Sequence, residues 1–214
     1  MPTPAASQSV REKRRQREAE LRRADIIAAA SVVFGEKGFQ GAQVTEIAAA
    51  AEISLNSVYT LFKGKEELYE AVLYAAAATI RDEVQAKAET LADPTAQLLS
   101  TIDSLFACFD SHRHLLSIYA RTTGSLPWRV REAMGKDAMK VFQEFTSWLI
   151  DVARRAEKVG GIPGVDPETL AFSLIGSVST SASRWVEDPS QGSLASEAPR
   201  VRALFERLIL TDRS

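Results

Sequence analysis

The stretch Val44-Thr45-Glu46-Ile47-Ala48-Ala49-Ala50-Ala51-Glu52-Ile53-Ser54-Leu55-Asn56-Ser57-Val58-Tyr59-Thr60-Leu61-Phe62 decides how this chain folds. In its first part Val44, Ile47, Ala48 and Ala51 recur at the i, i+3, i+4, i+7 spacing of one helix face, so a short helix is predicted there. Glu52 and Ile53 interrupt it, and Ser54 carries a side-chain oxygen suited to capping the free amides of a second helix. In that helix Val58, Leu61 and Phe62 share an inward face, which leaves Leu55, Asn56, Ser57, Tyr59, Thr60 and Lys63 pointing elsewhere. A two-turn helix is marginal by itself in water. Its open side offers amide and hydroxyl groups of the kind that reach base edges and phosphates, followed by Lys63 and Lys65 for backbone charge. The pattern reads as a helix-turn-helix whose second helix enters a major groove, against a plain helical corner with solvated polar residues.

Upstream, Ile26, Ile27, Ala30, Val33 and Phe34 make the inner stripe of a helix running to about Lys37, where Gly38 ends it as a left-handed C-cap. Phe39 closes the small core. Residues 1–65 carry ten Lys/Arg against seven Asp/Glu, a net of +3, while the whole chain is −2, so the remainder is −5. A basic head and an acidic body are expected when only one end faces phosphate. Met1–Ser9 is rich in Pro, Ser and Ala and is expected to be disordered. Arg11, Lys13, Arg14, Arg15 and Arg17 follow it, either as an arm for a minor groove or as a solvated basic tail.

The set Arg23, Ile26-Ile27, Ala29-Ala30, Phe34, Gly38-Phe39, Val44, Ile47-Ala48, Ala51, Ser54, Val58-Tyr59, Phe62, Lys65-Glu66 and Leu68 resembles the TetR-type bacterial transcriptional regulators. The likeness covers about residues 22–73 and is specific to that family's spacings. It implies an all-α homodimer: a three-helix head with a helix-turn-helix and a C-terminal helical bundle for ligand binding and dimerisation. It places DNA reading at Ser54, Leu55, Asn56, Ser57, Tyr59 and Thr60, and phosphate contact at Tyr59 and Lys65. Thr45 falls where the first helix of the motif reaches the backbone. The chain departs from the family at Glu52, where Gly is usual. It also departs at Gln43, where Thr or Ser would cap, and at Leu55 and Asn56.

Beyond the head, a helix from Lys65 to about Leu91 carries Leu68, Val72, Leu73, Ala76, Ile80 and Val84 in a stripe. At 1.5 Å per residue its roughly 27 residues span about 40 Å, long enough to touch head and body. Asp93-Pro94 breaks it. Thr95–Ser111 is the next helix, His112–Thr123 a shorter one, and Pro127 opens a long one to about Val159. Phe106, Phe109, Ile118, Tyr119, Phe142, Phe145 and Trp148 supply bulk either to a filled core or to an apolar pocket, with Arg121, Gln143 and Asp103 as polar anchors. The family likeness favours the pocket. Leu170, Leu174, Val178 and Trp185, then Leu204, Phe205 and Leu208, form apolar stripes on two terminal helices. These suit an isologous four-helix dimer interface, or packing within one subunit.

The domains expected are therefore an N-terminal extension over 1–21, a DNA-binding head over 22–64 and a helical ligand-binding and dimerisation domain over 65–214. The function is a transcriptional regulator, a repressor released from a palindromic operator in double-stranded DNA by a largely apolar small molecule. The competing class is a helical ligand-binding or scaffold protein without specific DNA binding. An enzyme is not expected: there is no Gly-x-Ser-x-Gly elbow, phosphate-binding Gly loop or zinc-spaced Cys/His set. His112 and His114, at i and i+2, point to different helix faces and show no carboxylate partner nearby in sequence, so neither metal nor cofactor is expected. Cys108, the single cysteine, excludes an internal disulfide and suits a reducing cytoplasm. Among Leu105, Phe106 and Phe109 it reads as a buried inert thiol or, alternatively, a sensing one. No apolar run long enough for a membrane span and no signal-peptide core are seen.

Overall fold

The structure, a computed structural model, describes residues 4–123, 135–188 and 192–210, of which residues 4–9, 119–123 and 210 are described in backbone only. The expectation for Pro127 lies outside the described residues, as do those for the side chains of Tyr119 and Arg121. The helices are α1 (Pro4–Gly41), α2 (Val44–Ala50), α3 (Leu55–Leu61), α4 (Lys65–Ala88), α5 (Pro94–Ser111), α6 (Arg113–Thr123), α7 (Lys136–Lys158), α8 (Pro167–Glu187) and α9 (Ala198–Leu210). A 3₁₀ turn, Leu194–Glu197, precedes the last. No strand occurs among the described residues, as the all-α reading requires. The chain forms two compact units, Met1–Val72 and Leu73–Ser214, with the division inside α4.

In the first unit α1 begins at Pro4, so helix replaces the disorder expected for the residues up to Ser9. Regular helix stops at Gly38, whose φ of 70° and ψ of 175° put it in a region that only Gly visits readily. The positive φ matches the expected break. The ψ is that of a kink rather than of a left-handed cap. Ile26, Ala30, Phe34, Ile47, Ala48, Val58, Phe62, Leu68 and Val72 fill the core of this unit. Tyr69 meets the rings of Phe34 and Phe39 at 4.8 and 5.0 Å. The Arg23 guanidinium lies 4.3 Å above the Phe62 ring and donates to the Leu61 carbonyl at 3.2 Å, fastening the end of α3 to α1.

The α2–α3 turn follows from local hydrogen bonding. Ile53 N–H donates to Ala48 O and Glu52 N–H to Ala49 O, the paired bonds that close a helix in a Schellman motif. That motif needs positive φ at the position occupied by Glu52, whose φ is 56°. A side chain there costs about 1–2 kcal/mol relative to an unstrained backbone. Glu52→Gly is therefore expected to raise the unfolding midpoint in denaturant, by no more than about 1 kcal/mol after the added chain entropy of Gly. A lower midpoint would refute the strain.

At the other end of α2, Gln43 is the N-cap, and the Glu46 carboxylate accepts from its backbone N–H at 3.3 Å and from Lys37 Nζ at 2.6 Å. Those two bonds, the lysine first, hold the Glu46 pKa below the usual carboxylate range. The resulting stability is present above the unfolded pKa and is lost as the pH falls through the lower folded one.

In the second unit α5 is central, with α6, α7, α8, α9 and the 3₁₀ turn packed around it. Leu98, Ile102, Phe106, Leu149, Val152, Leu170, Leu174 and Phe205 form its dry interior. Asp93 and Asp166 cap α5 and α8, each followed by Pro at the first helical position. Of the helix expected from Pro127 to Val159, residues 127–134 lie outside the described residues, and Gly135 is not helical. α7 begins at Lys136 behind Gly135 as N-cap, since Gly is costly inside a helix and cheap at its edge. Arg202 pairs with Asp103 of α5 and Glu206 of its own helix, anchoring α9. No helix among the described residues is long and apolar enough to cross a membrane.

Candidate nucleic-acid interface and apolar cleft

The two turns of α3 are held from behind and left open in front. Val58 and Phe62 are buried, whereas Tyr59 is 51% exposed and Leu55 38%. Ser54 accepts from Ser57 N–H at 3.1 Å, and the two hydroxyls lie 2.8 Å apart. The Thr60 hydroxyl donates back to Asn56 O at 2.9 Å. Three of the expected contact residues thus use their hydroxyls to shape the helix. The Asn56 amide, the Tyr59 hydroxyl and the Lys63 ammonium have no intramolecular partner among the described residues. Thr45 is exposed at the start of α2, with its hydroxyl 3.5 Å from Gln43 Oε1. Lys65 is half-buried: its ammonium lies over the Phe39 ring at 4.7 Å and 3.4 Å from Gln40 O. A cation so placed also serves the packing of the unit.

The second unit contains an apolar cleft that opens to solvent at its mouth. Leu73, Ala76 and Ile80 of α4, Leu105 and Phe109 of α5, Leu115 and Ile118 of α6, Val141, Phe142 and Phe145 of α7, and Ile175 and Val178 of α8 line it, almost wholly with carbon. Of the pocket residues expected from sequence, Phe109, Ile118, Phe142 and Phe145 are on this wall. Phe106 and Trp148 are not. Phe106 sits one residue round α5 from Leu105 and faces the closed core, and Trp148 stacks behind Phe145 at 5.7 Å. The expected anchors differ as well: Asp103 is paired with Arg202, and Gln143 is exposed. The polar groups at the wall are Ser179 and Arg81. Arg81 donates to Asp82 and Glu144 at 2.8 Å each, and the bond to Asp82 leads in raising its already high pKa.

The terminal stripes also need correcting. Leu170, Leu174, Trp185 and Phe205 are buried in their own subunit, and Val178 faces the cleft. α8 turns its larger residues toward its own core because α5, α6 and α7 cover that side. The apolar residues left outside are Phe172 at 48%, Leu204 at 53% and Leu208 at 43% exposed. Only Leu204 and Leu208 of the expected interface set are free to meet a partner. Signals for the missed cleft residues existed in the Leu73–Ala76–Ile80 stripe, which has the same spacing as a packing stripe.

Cys108 is buried, and its pKa is pushed up to about 12, by burial first and then by a hydrogen bond to Glu83. His112 does have a carboxylate partner, Glu83 Oε1 at 3.0 Å, brought from α4 by the fold. The rings of His112 and His114 approach to 6.2 Å because His112 is the C-cap of α5 rather than part of one helix with His114. An i, i+2 rule for opposite faces holds only inside a continuous helix.

Residues 26–72 match the family model of the bacterial regulatory proteins, tetR family. The chain carries a TetR-type DNA-binding segment and is similar to the regulators of that family. Its sequence is 25% identical over 154 residues to YhgD, an HTH-type transcriptional regulator of Bacillus subtilis, covering 70% of this chain and 76% of that one. FadR of Bacillus halodurans, a fatty acid degradation regulator, superposes with a TM-score of 0.74 at 19% identity over 90% of this chain and 96% of its own. FadR of Bacillus subtilis, in complex with stearoyl-CoA, gives 0.72 at 18% over 87% and 97%. At such identities the likeness of the solved structures is one of fold. The matched segment corresponds to the DNA-binding head of that family, with α2 and α3 as its helix-turn-helix.

Proposed function

We propose that this regulator is a dimeric repressor that reads a palindromic operator and is released by an extended, largely apolar effector. The observation that carries the DNA reading is the outer face of α3, where the unpartnered Asn56 and Tyr59 stand exposed over a buried Val58 and Phe62. Asn56 reads a base edge. Tyr59, Lys63 and Lys65 take phosphate together with Thr45, while Leu55, Ser54, Ser57 and Thr60 shape the helix and fill the groove. Two copies meet through Leu204, Leu208 and Phe172, which sets the recognition helices about one turn of DNA apart. The effector sits in the cleft with its hydrocarbon against Phe109, Ile118, Phe142 and Phe145, and with a polar end near Arg81 or Ser179. An acyl chain suits that lining, and stearoyl-CoA is bound by the B. subtilis FadR of like fold. Effector binding shifts the population toward a head spacing that no longer fits the site. Such a protein acts in the cytoplasm, where its operator is.

Selection from a random duplex library tests the reading. A recovered palindrome supports it, and stearoyl-CoA or a free long-chain fatty acid then lowers the affinity for that duplex. Recovery of no sequence at low salt would sink it.

The role of Lys65 can be separated from its packing. Lys65→Gln is expected to weaken binding to every duplex and to flatten the plot of log affinity against log salt by about 0.9 unit, one phosphate contact. Weaker binding at an unchanged slope would mean that the ammonium acts only by holding Phe39.

A further inference from the structure

Three side chains that can bind metal converge beside the cleft from separate places in the sequence. Glu83 comes from α4, Cys108 from the last turn of α5, and His112 caps α5. The thiol sulfur, an imidazole nitrogen and a carboxylate oxygen lie within 4.8 Å of one another, and His112 Nε2 is 3.0 Å from Glu83 Oε1. Among the described residues no other three His, Cys, Asp or Glu side chains are so placed. We propose that Glu83, Cys108 and His112 form a site for a divalent cation of the zinc class, with the fourth position held by water or an added ligand.

The donor chemistry selects the cation. A thiolate disfavours magnesium and calcium, and one sulfur with one imidazole and one carboxylate suits Zn²⁺ or Co²⁺. Bonds of about 2.0–2.3 Å place tetrahedral ligand atoms about 3.5 Å apart, between the 3.0 Å of the His112–Glu83 pair and the 4.8 Å that bounds the cluster, so small adjustments of side chains are enough. The sulfur is buried while the carboxylate is exposed and the imidazole half-exposed, which gives the cation an entry path and a dry inner wall. The Cys108 thiol proton, held by burial and by Glu83, leaves to solvent as the metal–sulfur bond forms.

The position makes the site regulatory. Ile80 and Leu105 each stand one helical turn from a ligand residue, Leu115 stands three residues past His112 across the break between α5 and α6, and all three line the cleft. A bound cation fixes these wall segments of α4, α5 and α6 relative to one another, so metal and effector occupancy are coupled.

Titrating the full-length, tag-free, reduced protein with Co²⁺ tests this. Saturation is expected at about one Co²⁺ per chain, with a sulfur-to-cobalt charge-transfer band in the near ultraviolet and tetrahedral ligand-field bands in the red, all abolished by Zn²⁺. Cys108→Ser removes the charge-transfer band, and Glu83→Gln or His112→Gln weakens binding by about tenfold or more, with far-ultraviolet circular dichroism unchanged. Spectra lacking the sulfur band, or equal titrations for wild type and Cys108→Ser, would overturn the site. Should Cys108→Ser fail to fold, His112→Gln on the half-exposed side decides: undiminished Co²⁺ affinity refutes the proposal.

Discussion

Phe62→Ala is expected to destabilise the head by about 3–5 kcal/mol, the cost of emptying a fully buried aromatic site. The ring is 1% exposed, its backbone N–H closes the last turn of α3 on Val58 O, and it carries the Arg23 guanidinium on its face. The substitution therefore removes the bolt between α1 and α3 as well as a volume of core. Small domains sit at the low end of the usual stability of about 5–15 kcal/mol, so most of the head's margin goes with this ring. Hydrogen exchange reads the outcome: amides within residues 26–68 lose protection, amides in α5 and α7 keep theirs, and DNA binding disappears. Wild-type protection in the head would show that Phe62 is replaceable.

Asn56→Ala acts on recognition without touching the core. An exposed amide with no internal partner can make the paired hydrogen bonds that suit adenine, worth about 1–3 kcal/mol of discrimination, or roughly 5- to 150-fold. Affinity for the selected operator falls by that factor, affinity for unrelated duplex stays the same, and one base pair per half-site becomes indifferent. Competition between the operator and duplexes changed at single positions measures it. Equal losses on specific and unrelated DNA would instead assign Asn56 to the backbone or to the shape of α3. Lys65→Gln, by contrast, changes both affinities and the salt slope, so the two variants separate base reading from charge.

Local patterning made the head legible. Val44, Ile47, Ala48 and Ala51 on one face, Ser54 as a cap, and Val58 and Phe62 turned inward are relations within four residues, which helix periodicity and capping specify on their own. The break at Gly38 was also readable, because a residue without Cβ admits positive φ, whereas the positive φ at Glu52 carries no such mark in its own residue type. The body was legible as helices and much less so as surfaces. Its apolar stripes say that a side is covered and not by what. Val178 and Trp185 have the spacing of an interface and lie inside the subunit, whereas Leu204 and Leu208, i and i+4 on α9, stay outside. Phe106 and Phe109 look alike in sequence, and rotation about α5 sends one to the core and the other to the cleft.

The chain's own order of residues thus settled the helical class, the helix-turn-helix and the side of α3 that faces outward, since these depend on contacts made within a turn or two. Tertiary packing alone decided which apolar stripes close the core, which line the cleft, and that Glu83 would stand beside Cys108 and His112. Those pairings join residues separated by tens of positions, and no local preference encodes the crossing of the helices that carry them.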